Sequence, residues 1–384
     1  MGRTIRRAMA LLLGALVVTG CVGLGVLRAG ADGKSHAAKN AASPSRARAM
    51  FVEQWRRSFP VDFVGLPSVD SAGVVATAGE SQVLALSPTG ALQWTTAVEG
   101  ALANAPRLDG DRVFVAAKRA VVALDRASGA VVWSVPTAAD GQRDDRANQP
   151  VVVGDVVVVT TESGDAYGLD RGTGISRWSV ALPTATTAEP AATNGVAVVV
   201  GIGQWWALDP TSGAALCSGD IGTYGTSSPV VYADGPRAVA AVATDGHVLA
   251  VDARSGEGIW DAEADQSEYF QVPTVSAAHE LLVPDHWGRL AAFDAHDGTV
   301  RWRVRGANAI AEFGEPAVLG PKLVAMSLDA GGPRIAGPAG SYSLKVPAPG
   351  HGVARAPGGL LIVTTWDGPQ NYVVAYRLKA RSGR

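Results

Sequence analysis

One fifteen-residue pattern constrains the fold of this chain more than any other feature. Val121 to Val135, VVALDRASGAVVWSV, recurs in close copies along almost the whole length. It reads as two strands joined by a tight turn. The first strand, VVAL, is a buried apolar run. Asp125 opens the turn, where its carboxylate can accept from backbone N–H groups just ahead of it. Gly129 closes it, because a loop of about three to five residues needs a position that tolerates positive φ. Trp133, on the returning strand, carries a large flat surface to bury against a neighbour. The spacing repeats at Asp170, Gly174 and Trp178, at Asp209, Gly213 and Cys217, at Asp252, Gly256 and Trp260, and at Asp294, Gly298 and Trp302. Gly90 and Trp94 form a copy with a shorter turn and no Asp, and Gly340 with Leu344 keeps only the glycine. The positions equivalent to Trp133 are therefore 94, 133, 178, 217, 260, 302 and 344, at intervals of 39 to 45 residues. A period of about 40 to 45 residues with several strands per unit is a propeller signature.

A second marker is independent of the first. About 27 residues ahead of each of those positions a proline enters an apolar strand: Pro67, Pro106, Pro150, Pro190, Pro229, Pro273 and Pro316, with Pro357 as an eighth. Proline is tolerated at the first residue of a strand, where its missing N–H breaks no central ladder bond. Each unit then reads as four strands, most clearly in PVVYADGP, RAVAAVAT, HVLAVDA and EGIWDAE. Eight prolines against seven downstream positions leave the last unit one strand short. Trp55, in FVEQWRRS, has no unit of its own and stands 39 residues ahead of Trp94. It is expected on the outer strand of the last unit, closing the ring so that no sheet edge is left there for another chain. The expected fold is all-β, an eight-bladed β-propeller of four-stranded antiparallel blades over residues 51–384, closed by pairing of the N-terminal strand with the C-terminal blade. Trp55, Trp94, Trp133, Trp178, Trp260 and Trp302 would dock the blades. Of Trp205 and Trp206, which start a third strand, one is expected in the core.

The first 27 residues differ in kind. Arg3, Arg6 and Arg7 precede an uncharged stretch from Ala8 to Leu27, the pattern of an export signal with a positive n-region. Val18, Thr19, Gly20 and Cys21 are similar to a lipobox, which would make Cys21 an acylated N-terminus. The apolar run continues past Cys21 to Leu27, long enough to cross a bilayer uncut. Either arrangement places the propeller on the extracytoplasmic face of a membrane, and cleavage with full release is the third reading. Residues 28–50 are small, polar and basic without periodicity, a flexible linker. The basic residues gather there: the net charge of -2 leaves the propeller itself distinctly acidic. A body of that charge with no basic cluster argues against nucleic acid as a partner. Cys21 and Cys217 are the only cysteines. Cys217, at a Trp-equivalent position, reads as a buried filler and not as a reactive thiol.

The repeats ALDRASGAVVW, GLDRGTGISRW, AVDARSGEGIW and AFDAHDGTVRW resemble the pyrroloquinoline-quinone (PQQ) type propeller repeat. That family of eight-bladed propellers includes quinoprotein dehydrogenases and the non-enzymatic BamB-like outer-membrane assembly lipoproteins. The resemblance covers about residues 51 to 384 and, being repeated, is specific for fold; one architecture hosts enzymes and scaffolds alike. In the dehydrogenases it implies a quinone held on a Trp floor beneath a disulfide of adjacent cysteines, a calcium ion on carboxylate and amide side chains, and an Asp base. This sequence has no adjacent cysteines and no inserted catalytic loops, so neither PQQ nor calcium is expected.

In a blade whose first strand starts at the proline, the loops ahead of each proline and the turns between second and third strands emerge on one face. A ligand or partner funnel belongs there. The two longest loops supply Arg143, Asp144, Asp145 and Arg146 in one and Glu268 and Tyr269 in the other. Polar residues just ahead of the prolines, Gln149, Glu189, Ser228, Gln271 and Glu315, are expected near the axis with Asn148 and Glu312. Polar groups there also suit ordered water in a wide channel. Tyr224, Trp287 and Trp366 fall on the same face, and aromatics left at a rim are frequent interface anchors. The segment DGQRDDRAN lacks the spaced ligands of a calcium loop, and the six histidines show no zinc pairing, so no metal site is expected. No G-x-S-x-G elbow occurs. The sequence therefore reads as a monomeric, membrane-tethered, non-catalytic scaffold that binds another extracytoplasmic or membrane protein. A small-molecule sensor ectodomain and a PQQ-dependent dehydrogenase are the alternatives.

Overall fold

The computed structural model describes residues 50–100, 104–137, 145–186, 188–193, 195–222, 227–264, 270–305, 314–327, 332–347, 350–365 and 370–379. Within them lie eight four-stranded antiparallel sheets and no helix, an eight-bladed propeller. In seven blades the strands follow chain order from the axis outward. The inner strands are Ser68–Asp70, Arg107–Asp109, Val151–Val153, Ala191–Thr193, Val230–Asp234, Thr274–Val275 and Ala317–Gly320. The eighth blade combines Gly350–Ala356, Leu360–Thr365 and Asn371–Lys379 with the outer strand Met50–Phe59. Trp55 stands opposite Ala375, so the ring is closed by the N-terminal strand as the sequence predicts.

Pro357 departs from the expected pattern. It lies after the inner strand Gly350–Ala356, in the turn to the next strand, and not at the entry of a blade. The last blade thus finds its inner strand upstream of the marker that was expected to begin it.

Valine, alanine and leucine fill the second and third strands, which are buried on both faces because every sheet is covered by a neighbouring sheet on each side. Trp205 and Trp206 show this directly. Both are buried, one in the cluster facing the fifth blade and the other in the cluster facing the third. Adjacent residues on a strand point to opposite faces, so a sheet packed on both sides buries the pair. The expectation that only one belongs to the core was too narrow.

Five of the recurring tryptophans each dock their blade on the turn of the next. Trp178 lies flat on Gly213, where an added Cβ would stand 2.5 Å from the ring, and its Nε1 donates to the Pro210 carbonyl at 2.8 Å. Trp94 on Gly129, Trp133 on Gly174 and Trp260 on Gly298 repeat the contact, with donation to the Arg126, Arg171 and Ala295 carbonyls. Trp55 does the same across the ring closure, on Gly90 and the Pro88 carbonyl. Cys217 takes the position with its thiol 3.3 Å from the Ala253 carbonyl. The turn carboxylate acts as expected: Asp125 accepts from the Ala127 and Ser128 amides and from the Ser128 hydroxyl.

Candidate functional site

The loops entering the inner strands and the turns between second and third strands do share one face. Isolated bridges tie Val64 to Ala78, Ala147 to Thr161 and Phe270 to Asp285, each joining an entry loop to such a turn. On this funnel face Trp287 is 51% and Ile202 54% exposed. The turn bearing Trp287 is built around Asp285, a carboxylate only 3% exposed. Asp285 accepts from the Trp287 amide at 2.9 Å and the Arg289 amide at 2.8 Å, and pairs with the Arg289 guanidinium. The indole meets the His286 ring edge-on at 5.4 Å between centroids. A large aromatic is thus held rigidly in the open, at little further entropic cost on binding.

Beneath the rim runs the axial channel, in two lobes of about 460 and 140 Å³. Four polar side chains line both lobes and so mark their junction: Arg107, Gln149, Glu189 and Glu315, from the second, third, fourth and seventh blades. Glu189 is half-buried, and Glu315 shows its surface to the lumen itself. Both lie deep inside the ring. That surrounding protein is the main cause that pushes the Glu189 carboxyl up to about 8, with Glu315 adding to the rise and Arg107 opposing it. Glu315 is raised for the same first reason, again against Arg107.

The sequence places some of the predicted funnel residues here and misplaces others. Gln149, Glu189 and Glu315 each immediately precede the entry proline and face the channel. Ser228 lines the smaller lobe and its hydroxyl accepts from the Glu189 amide at 3.2 Å. Asn148 and Gln271 lie two residues ahead of the proline, so the alternation of an extended segment turns them the other way. Both are buried and absent from the channel lining. Asn148 donates to Thr160 and Thr186, linking the third and fourth blades. Asp145 accepts from the Ser163 amide and hydroxyl and pins its loop to the adjacent turn. Arg146 is exposed on the same face. Arg143, Asp144, Tyr224, Glu268, Tyr269, Glu312, Trp366 and Cys21 lie outside the described residues. Arg107 was missed. It is the only charged residue that directly follows an entry proline, where the other blades carry Ser68, Val151, Ala191, Val230, Thr274 and Ala317, and that was the available signal.

The donor set does not fit the quinone site that the repeat implies. The described residues lining the two lobes include no aromatic ring. Cys217 is buried between blades, far in sequence from any second thiol. Among the described residues no three His, Cys, Asp or Glu side chains stand together as metal ligands.

Comparison with known proteins agrees on the architecture. BamB of Yersinia pestis is 27% identical over 210 residues, which are 50% of this chain and 51% of that protein. The chain thus matches about half the length of this relative. The crystal structure of BamB from Moraxella catarrhalis superposes with a TM-score of 0.67 at 19% identity, covering 86% of this chain and 100% of that one. A quinohemoprotein alcohol dehydrogenase, ADHIIG from Pseudomonas putida HK5, reaches the same TM-score of 0.67 at 13% identity, over 87% of this chain and 77% of that one. Equal scores mean that shape alone does not separate assembly factor from enzyme. Residues 52–204 and 201–332, well over half of the chain, match the family model described as outer membrane protein assembly factor BamB, and the protein belongs to that family.

Proposed function

We propose that the protein is a membrane-tethered, extracytoplasmic, non-catalytic scaffold that binds another envelope protein through its funnel face, in the manner of an outer-membrane assembly factor. The observation that carries this reading is the family match over residues 52 to 332. The rigid turn presenting Trp287 supports it, because an exposed aromatic held by a buried carboxylate is the kind of anchor that interfaces use. The N-terminal pattern, with either Cys21 acylated or the segment Ala8 to Leu27 retained, supplies the tether.

Photo-crosslinking in the source cells tests the proposal. A crosslinker placed at Trp287 or Arg146 on the full chain is expected to capture a discrete envelope protein. One placed at Leu92, on the outer strand beside the opposite set of turns, is expected not to. Capture from both faces alike, or from Leu92 alone, would overturn the assignment of the funnel face. Reduction of a dye at the expense of an alcohol or a sugar by the chain supplied with PQQ and calcium would overturn the non-catalytic reading.

A further inference from the structure

We propose that the axial channel is a binding site for a cationic α-amino acid, held where the two lobes meet by Arg107, Gln149, Glu189 and Glu315. The inference is independent of the scaffold reading and of the funnel rim.

Three observations carry it. The first is room inside the ring. The lobes meet inside a ring of eight inner strands, and about 460 Å³ in the larger one exceeds what a single free amino acid fills. The second is that, among the described residues, the four side chains have no hydrogen-bond or ion-pair partner. Several arginines elsewhere in the ring are paired: Arg126 with Asp70, Arg171 with Asp109 and Asp111, Arg177 with Asp155 and Asp170. Arg107, Gln149, Glu189 and Glu315 form no side-chain hydrogen bond or ion pair among the described residues, although Arg107 and both carboxylates are close enough to act on one another. Ionisable groups gathered inside the ring and left unpaired by the protein favour a ligand of complementary charge. The third is the pattern of charge. Two carboxylates and one guanidinium are complemented by two cations and one carboxylate, the charges of arginine, lysine or ornithine. Arg107 supplies a planar donor for the ligand carboxylate. Glu189 and Glu315 take the two cationic groups, and the Gln149 amide is free to bond either way. Arg355 also lines the larger lobe but not the smaller one, so it lies off the junction, and its guanidinium donates to the Val318 carbonyl at 3.1 Å.

Protons are linked to occupancy. With its carboxyl raised by burial, Glu189 is largely protonated near neutral pH in the free protein. A bound cation favours the ionised form, so binding releases a proton and tightens as pH rises toward 8.

Calorimetry on the full chain in detergent, with L-arginine, its neutral analogue L-citrulline, and agmatine, which lacks the carboxylate, tests each part. Arginine is expected to bind in the channel about tenfold or more tighter than either analogue, the loss that accompanies one charge-assisted contact. Arg107→Gln should erase the preference for arginine over agmatine, and Glu315→Gln the preference over citrulline. Binding heats measured in buffers of different ionisation enthalpy should report proton release near pH 7 that Glu189→Gln abolishes. Unchanged melting temperatures would show that the variants fold. Equal affinity for all three ligands, no saturable binding at millimolar concentration, or preferences that survive the substitutions would each overturn the proposal. Failure here leaves the funnel-face scaffold untouched, because that is read by crosslinking at the rim.

Discussion

Two kinds of blade junction in this ring stand in contrast. From the first blade to the fourth, from the fifth to the sixth, and across the closure from the eighth to the first, an indole lies on a turn glycine and donates to a turn carbonyl. At the junction of the sixth and seventh blades the indole of Trp302 instead turns to Glu280 of its own blade, at 3.3 Å. The turn it would meet is a two-residue hairpin between the paired residues Gly337 and Gly340, and nothing lies within 4 Å of a Cβ built on Gly340. Apolar side chains of both blades still meet here, with Trp302 packed against them, and Arg334 adds a polar clasp. Only 8% exposed, it donates to the Arg305 carbonyl at 2.7 Å and to the Ser341 hydroxyl. The longer turn opened by Asp125 and its equivalents creates the free carbonyl and the flat glycine that a tryptophan needs. Where the turn shortens, the indole keeps its apolar packing but loses the glycine and the carbonyl beneath it, and a buried cation stands at the junction. The family match ends at residue 332, just as this second kind of junction begins.

The largest expected difference between the two kinds is in truncation of the indole. Trp178→Ala should destabilise by about 3–5 kcal/mol in chemical denaturation, as core aromatics do. Trp302→Ala, half-buried and without a glycine beneath it, should cost about 1–2 kcal/mol, an ordinary surface-to-core value. Equal costs would erase the distinction.

Next in size is the glycine itself. Gly213 has φ of +72° and no room for a methyl group against Trp178. Gly213→Ala should therefore cost about 2–3 kcal/mol, with only the backbone part of about 1–2 kcal/mol left when Trp178 is already alanine. Full additivity in that double-mutant cycle would mean that ring and glycine do not touch.

Arg334→Leu tests the replacement junction. It leaves the Arg305 carbonyl without its donor and should cost about 1–3 kcal/mol. Amide exchange should rise at the facing edges of the sixth and seventh blades and stay unchanged around Trp133. A uniform rise around the ring would show that Arg334 stabilises the fold globally and not this junction.

The same contrast explains what was legible in the sequence. Regular blades announced themselves through Asp, Gly and Trp at fixed spacing, because each of the three has one physical task in the turn and its dock. The closure through Trp55 was readable for the same reason: it is an ordinary dock made by residues far apart in sequence. The last blade was read from Pro357 because a proline opening a strand and a proline in a hairpin turn look alike when no tryptophan follows. In the channel, distance from the proline decided the outcome. Residues one step ahead face the axis, and residues two steps ahead, Asn148 and Gln271, turn into the blades. Arg107 went unread because the search stopped at the proline, although the alternation that exposes Gln149 exposes the residue after the proline as well.

The smallest predicted effect concerns the opposite face, where the residue after the turn aspartate reaches back to the preceding blade. In the second and third blades it is Arg126, paired with Asp70, and Arg171, paired with Asp109. In the sixth blade the clasp comes one residue later, from His296, whose Nδ1 lies 2.8 Å from Asp234. The hydrogen bond and charge of Asp234 hold the imidazolium above its ordinary range. A raised folded pKa means that the clasp is complete below about pH 6.5, the ordinary histidine value, and is lost as pH rises through the folded value. The arginine clasps, charged throughout, should not change over the same range. Glu189 is also raised, so it too favours the folded state at lower pH, and a global melt would mix the two groups. Local amide exchange separates them. Between pH 6 and 8.5, after correction for intrinsic rates, protection at the turn from Asp234 to Arg237 should fall while protection at the turn from Asp70 to Gly73 stays level. His296→Arg should abolish the fall. If protection at both turns declined in parallel, or if the arginine variant kept the fall, the difference between the clasps would not lie in the proton on His296.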